Sequence, residues 1–183
     1  QDEWAYRSHQ RAIEAVEEGR FADEIIAVEV PQRKEAPIVV DQDESPRKDT
    51  TVEKLAALRP AFGKDGTITA GNAPGVNDGA AAVVLMSEEK ANSEGIAPIA
   101  YITGHAEIAI EAEDFPKTPG IVIQELLGRC RKTINDIDLF EINEAFAAVA
   151  LAGNQLAGLP EEKVNVNGGA VALGHPIGAS GTR

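Results

Sequence analysis

The sequence predicts an α/β layered domain. Three observations carry this. A continuous apolar run of strand length occurs at residues 80–87 (Ala-Ala-Ala-Val-Val-Leu-Met-Ser), and residues 99–109 and 137–142 also read as strands. Segments of helical composition or spacing follow them, at 88–94, 120–133 and 144–156. The chain has 183 residues, 43% of them hydrophobic and 26% charged, enough to bury a core without disulfides or metal. Strands buried on both faces and alternating with helices imply a sheet covered by helical layers.

Element by element, the first helix is expected from Asp2, as N-cap, to about Glu18. Trp4, Ala5, Ser8, Ala12, Ala15 and Val16 form its small-residue stripe, and Gly19 ends it. Ile25, Ile26, Val28 and Val30 indicate a short strand closed by Pro31. Residues 32–50 read as a charged surface excursion with a little strand at Ile38-Val39-Val40. A short helix follows over 51–58, capped by Thr50 or Thr51 and stopped by Pro60. Ile123, Leu126, Leu127, Cys130 and Ile134 share one face of the 120–133 helix, which makes Cys130 a core thiol despite its neighbours Arg129 and Arg131.

Seventeen basic against thirty acidic side chains leave a net charge of -13, with no segregated basic patch, so nucleic acid is not an expected partner. One cysteine excludes an intrachain disulfide framework, and three dispersed histidines (His9, His105, His175) have no metal-ligand spacing. No run approaches the roughly 18 apolar residues of a membrane span, and the first residues lack the features of a signal peptide. A cytoplasmic protein without membrane association is expected. The start without Met, and the stop at Gly178-Ala-Ser-Gly-Thr-Arg183 where small residues open a new element, read as a piece of something longer.

Three segments could carry chemistry. The densest is residues 165–183, with five glycines (168, 169, 174, 178, 181) and His175 between Gly174 and Pro176. So many glycines imply positive φ or close backbone approach, and the proline restricts the histidine backbone. Such a loop can present an imidazole rigidly. It can equally be a packing turn with an incidental histidine, which is the default for a lone histidine. A phosphate cradle is the third reading, but neither the Walker pattern nor a dinucleotide fingerprint is present. The second segment is residues 140–148, where an apolar strand delivers Asn143 and Glu144 to a helix start. Strand ends of this kind gather ligands, yet the residues alone favour Asn143 as a helix cap. The third, residues 66–82, is a run of small residues and Asn-Ala-Pro-Gly and Asn-Asp-Gly turns. It is either a plain loop or a wall for a thin, long ligand.

Together these segments resemble the thiolase family. Asn167-Gly-Gly-Ala-Val-Ala-Leu-Gly-His-Pro-Ile-Gly-Ala-Ser-Gly-Thr-Arg183 is similar to the family's histidine signature, and Asn143-Glu-Ala-Phe146 to its second catalytic motif. Leu58-Arg-Pro-Ala-Phe62, Thr69-Ala-Gly-Asn-Ala73 and Asp78-Gly-Ala-Ala-Ala82 resemble its coenzyme A region. The resemblance runs from the first helix to the last residue and is closest to the biosynthetic acetoacetyl-CoA type. It implies a thiolase-like layered α/β/α domain, incomplete at its C-terminus, over 66–183, preceded by the end of a loop domain over 1–65. Neither of the family's two catalytic cysteine motifs is present, and Cys130 matches neither.

The resemblance implies reversible Claisen condensation of two acetyl-CoA to acetoacetyl-CoA and CoA in a longer polypeptide, this chain alone being inactive. His175 would donate toward the thioester oxygen and activate a thiol, Asn143 would hold a water as second donor, and Phe62, Ala70, Gly71, Ala145 and Phe146 would line the pantetheine and acyl channel. No cofactor is implied, because the CoA thioester is substrate. Partners are implied to be acyl-CoA, further copies in a homodimer or homotetramer, and the remaining thiolase segments. Two departures bear on specificity: Pro74 stands where a CoA-contacting serine is common, and Phe115-Pro-Lys-Thr-Pro-Gly120 where a Gly-Pro stretch is usual. The alternatives are a non-catalytic CoA-binding module of the same fold, a 3-ketoacyl-CoA thiolase of longer-chain specificity, and a generic nucleotide-binding α/β protein.

Overall fold

The computed structural model describes residues 1–182. Helix α1 spans Asp2–Glu17. Its buried side chains are Trp4, Ala5, Ser8, His9, Ala12 and Ala15, the predicted stripe joined by His9, while Val16 is exposed. Gln1, not Asp2, is the N-cap. The Asp2 carboxylate instead accepts a hydrogen bond from the Asn72 side chain at 3.0 Å. Strands β1 (Val28–Val30) and β2 (Ile38–Val40) pair antiparallel, with Val28 opposite Val40 and Val30 opposite Ile38. Helix α2 (Val52–Ala56) is capped by Thr51, whose hydroxyl accepts from Lys54 N, and α3 (Glu88–Ser93) by Ser87 on Lys90 N.

After a 3₁₀ segment at Ala112–Lys117, α4 spans Thr118–Cys130 and ends on Arg131 at φ 54°, and α5 spans Ala147–Ala157 and ends on Gly158 at φ 66°. A one-turn helix, α6 (Ala170–Leu173), lies inside the glycine-rich signature. Helices α4 and α5 cross closely because Gly120 meets Gly153: a Cβ on Gly120 would lie 2.9 Å from the Gly153 carbonyl oxygen. The main core joins Trp4 of α1, Phe140 and Ile142, Ala147 and Ala150 of α5, Leu159 and Val164. A smaller cluster, Ala5, Leu55 and Val171, ties α1, α2 and α6 together. That is how the first helix reaches the glycine-rich signature.

Two expectations are corrected. The apolar runs at 80–87 and 99–109 are not strands: β1–β2 is the one sheet among the described residues. A strand needs a hydrogen-bonded neighbour, and neither run has one. Val84 and Ile102 are accordingly 84% and 74% exposed. The 137–142 run reduces to a parallel bridge between Phe140 and Val164. Cys130 is half-buried rather than core. Its thiol fills the space where Gly104 lacks a side chain.

Candidate functional site

The site is assembled on polar side chains that complete a backbone pairing. Phe140 N donates to Lys163 O and Asn165 N to Phe140 O, both at 2.9 Å. Asn165, at φ 50°, then turns its own amide onto Ile142, accepting from Ile142 N and donating to Ile142 O, each at 2.8 Å. One side chain thus satisfies the next residue of the ladder and fixes where residue 143 emerges.

The next residue, Glu144, is 1% exposed and is the hub of the assembly. Its two oxygens accept from Trp4 Nε1 (2.7 Å), Ser8 Oγ (2.8 Å), Val171 N (2.9 Å) and Asn165 Nδ2 (3.2 Å). A buried carboxylate persists only with such saturation, and here it locks α1, the 140–144 segment and α6 into one frame. Gly169 has no room for a side chain, since a Cβ there would lie 2.3 Å from the Glu144 carboxyl carbon. Gly168, at φ 84°, likewise lies against Ser8 O and Ala12 of α1.

Within that frame Asn143 Nδ2 and His175 Nε2 stand 3.2 Å apart. Helix α5 begins at Ala147 with Phe146 as its cap residue and no side-chain cap bond, so the capping role favoured by the residues alone is not the one Asn143 has. Its amide is free to face the imidazole. On the far side of the ring, His175 Nδ1 is 2.7 Å from Ser180 Oγ, which in turn donates to Pro176 O at 3.2 Å. The His175 backbone is held by Asn77, whose Oδ1 accepts from His175 N at 3.1 Å, and by a parallel bridge to Val76. An amide N–H and an imidazole nitrogen converging at this distance can together address one ligand oxygen, or the imidazole alone can take a proton.

Asn143 lines two cavities. One, of about 340 Å³, is mostly apolar, walled by Phe115, Pro119, Val122, Ile123, Ala145 and Val149, and shares Glu141 with the second. The other, of about 720 Å³, includes Phe21, Leu173 and Ser180 together with the acidic Glu24, Asp43 and Glu141. Burial, then the nearby Glu144, push the Glu141 carboxyl above the ordinary glutamate range, opposed by Arg11. Phe62 packs edge-on against Phe146, with ring centroids 6.0 Å apart, and Asn72 O accepts from Ala147 N at 2.9 Å, so the 62–72 loop is docked on the start of α5. Ala70 is exposed beside it. Gly71 is buried, and a Cβ there would lie 2.5 and 2.6 Å from the Leu55 and Leu58 methyl groups, so a larger residue would have to displace those side chains.

Residues 1–89 match the N-terminal domain of thiolase and residues 96–183 match its C-terminal domain. The chain belongs to the thiolase family. It is 52% identical to a probable acetyl-CoA acyltransferase of Staphylococcus epidermidis and 51% identical to one of Staphylococcus aureus, in each case over all 183 residues. The chain spans about half the length of these curated relatives, 46% and 47%. Its fold superposes on the acetyl-CoA acetyltransferase of Bacillus anthracis with a TM-score of 0.92 at 48% identity, and on human mitochondrial 3-ketoacyl-CoA thiolase with 0.92 at 42%. In both cases all of this chain and 46% of the other is covered. The fold is that of an incomplete α/β thiolase domain.

Set in that family, the structure brings Asn143 and His175 together, and Phe62 onto Phe146. It also adds residues that motif reading passed over. Ser180, Asn77 and Asn165 lie within or beside the motifs, but each acts through contacts distant in sequence or hidden in a turn, and only the density of Asn and Ser among small residues signals them; Glu144 is legible beside Asn143, but not as the hub. Among the described residues no cluster of His, Cys, Asp and Glu could hold a metal ion, and no helix is long and apolar enough to cross a membrane.

Proposed function

We propose that the intact protein transfers acyl groups between coenzyme A thioesters by reversible Claisen condensation. Two acetyl-CoA would give acetoacetyl-CoA and CoA, with thiolysis as the reverse. The observation that supports this most is the Asn143–His175 pair, 3.2 Å apart, with Asn143 lining a mostly apolar cavity, in a chain of the thiolase family.

A thioester α-carbon is a weak acid, so its deprotonation needs the enolate oxygen stabilised where charge develops. His175 with Asn143, directly or through a water on the Asn143 amide, would supply the donors. His175 would also take the proton of a nucleophilic thiol in the other half-reaction. That thiol and the acid/base cysteine would come from residues other than these 183, whose one cysteine, Cys130, lines neither cavity. The 183-residue chain alone would therefore turn over no substrate. Phe62, Ala70, Gly71, Ala145 and Phe146 would border the pantetheine and acyl channel, Gly71 through its backbone. The protein would work in the cytoplasm as a homodimer or homotetramer, with acyl-CoA as substrate and no cofactor.

A second reading, a 3-ketoacyl-CoA thiolase for longer chains, has the apolar wall from Phe115 to Val149 in its favour. Thiolysis rates of 3-oxoacyl-CoA substrates of increasing length decide between them. Highest kcat/KM on acetoacetyl-CoA supports the first reading, and a maximum at longer chains the second. Coenzyme A binding without turnover of any substrate would leave a non-catalytic module of the same fold.

A further inference from the structure

We propose that Ser180 is a positioning residue that lets His175 change tautomer, so that Nε2 is a proton acceptor in the empty site and a hydrogen-bond donor once a ligand oxygen is bound. If the site is the acyl-transfer site proposed above, that oxygen is the thioester carbonyl.

The direction of each hydrogen bond follows from the donor inventory. In the structure the Asn143 amide turns Nδ2, which can only donate, toward His175 Nε2 at 3.2 Å; with the amide in this orientation Nε2 accepts and carries no proton. The proton then sits on Nδ1, which donates to Ser180 Oγ at 2.7 Å, and the serine passes its own hydrogen to Pro176 O at 3.2 Å. That is the arrangement the side chains have in the structure, and it is assigned to the ligand-free protein. It suits Nε2 to take a proton but not to stabilise an oxyanion.

The last bond of this relay is the weak one. Pro176 O also accepts from Ala179 N at 2.8 Å and Ser180 N at 3.0 Å. A carbonyl oxygen has two lone pairs, so two shorter backbone donors already fill it and the hydroxyl is the third and longest. Rotating Ser180 Oγ–H away from Pro176 O costs little, and the same oxygen that accepted from Nδ1 then donates to it. When a ligand oxygen arrives, water delivers a proton to Nε2 and takes the one leaving Nδ1, so the ring stays neutral and no net proton is gained or lost. Asn143 Nδ2–H and His175 Nε2–H both face the ligand, and the rotated hydroxyl fills the lone pair left on Nδ1. A carboxylate at position 180 could only accept and would hold the proton on Nδ1. The ring need not move, because the Asn77 bond and the Val76 bridge fix the His175 backbone in both states.

The test is ¹⁵N NMR of the intact protein labelled in histidine, with the His175 signals assigned by their loss in His175→Gln. Expected without ligand is a protonated Nδ1 and a bare Nε2, shifting toward protonated Nε2 when acetyl-CoA is added. Ser180→Ala should change the tautomer ratio on the order of three- to tenfold, the worth of one hydrogen bond. Ser180→Thr, which keeps the hydroxyl, should restore the wild-type ratio. Ser180→Asp should hold the proton on Nδ1 with or without acetyl-CoA. A protonated Nε2 in the empty wild type, or a ratio unmoved in Ser180→Ala, overturns the proposal. Failure of acetyl-CoA to bind, with the empty-site ratio still responding to Ser180→Ala, would overturn the acyl-transfer reading and leave the serine's control of the tautomer standing.

Discussion

Residues 140–173 and residues 80–110 are both rich in small and aliphatic side chains, yet they meet opposite fates. In the first stretch Phe140, Ile142, Val149, Val164 and Val171 are buried, and the buried Glu144 and Asn165 side chains have their partners. In the second, Val83, Val84, Leu85, Ile99, Tyr101 and Ile102 are exposed, and no strand forms. The difference lies in where the backbone partners come from. Asn165, Glu144 and the face of α1 supply them to the first stretch from within the chain. The second has apolar side chains but no neighbouring strand, and hydrophobicity by itself does not satisfy N–H and C=O groups.

Removing the hub should break this contrast most severely. Glu144→Ala leaves four donors without their acceptor, and the intact protein should lose about 3–5 kcal/mol of stability in urea unfolding. Next comes Gly168→Ala, which forces a side chain into φ 84° and against Ser8 O at 2.7 Å. It should cost about 2–3 kcal/mol, whereas Gly95→Ala, at φ 68° with open space around it, should cost about 1. The valines sharpen the same comparison within the 183-residue chain. Val164→Ala should cost about 2 kcal/mol, and Val84→Ala less than about 0.5, both read as shifts in urea midpoint at unchanged slope.

The smallest effect is expected from His9, buried on α1 with Nδ1 accepting from Arg47 N at 3.1 Å. Burial, then the Arg47 charge, hold its pKa below the ordinary 6.5. The folded state therefore resists a proton that the unfolded chain accepts. The stability this group contributes is complete above about pH 6.5 and is lost as pH falls toward its folded value. Urea midpoints taken from pH 7.5 to 5.5 should decline, and less steeply in His9→Asn.

Helices were legible because their signals are local. The stripe from Trp4 to Ala15 and the cap Thr51 act within a few residues of where they stand. Of the site, the motif resemblance singled out His175 and Asn143, and the structure sets them 3.2 Å apart. By residue type alone Asn143 read as a cap, because whether an Asn amide faces the next helix or a histidine 32 residues away is decided by tertiary pairing. The strands at 80–87 and 99–109 misled for the converse reason: an apolar run states what a segment could bury, not whether a partner stands beside it. The roles of Ser180, Asn77 and Glu144 were illegible because they rest on hydrogen bonds made only in the folded chain.

The most direct measurement is the thiolysis of acetoacetyl-CoA by the intact protein, with wild type compared to His175→Ala, Asn143→Ala and the double variant. A shared role at one oxygen predicts turnover in the wild type, losses in kcat of about 10³-fold or more for His175→Ala and about 10²- to 10³-fold for Asn143→Ala, and a double variant far from additive. No turnover by the intact wild type, or a His175→Ala enzyme within a few fold of it, would contradict the account.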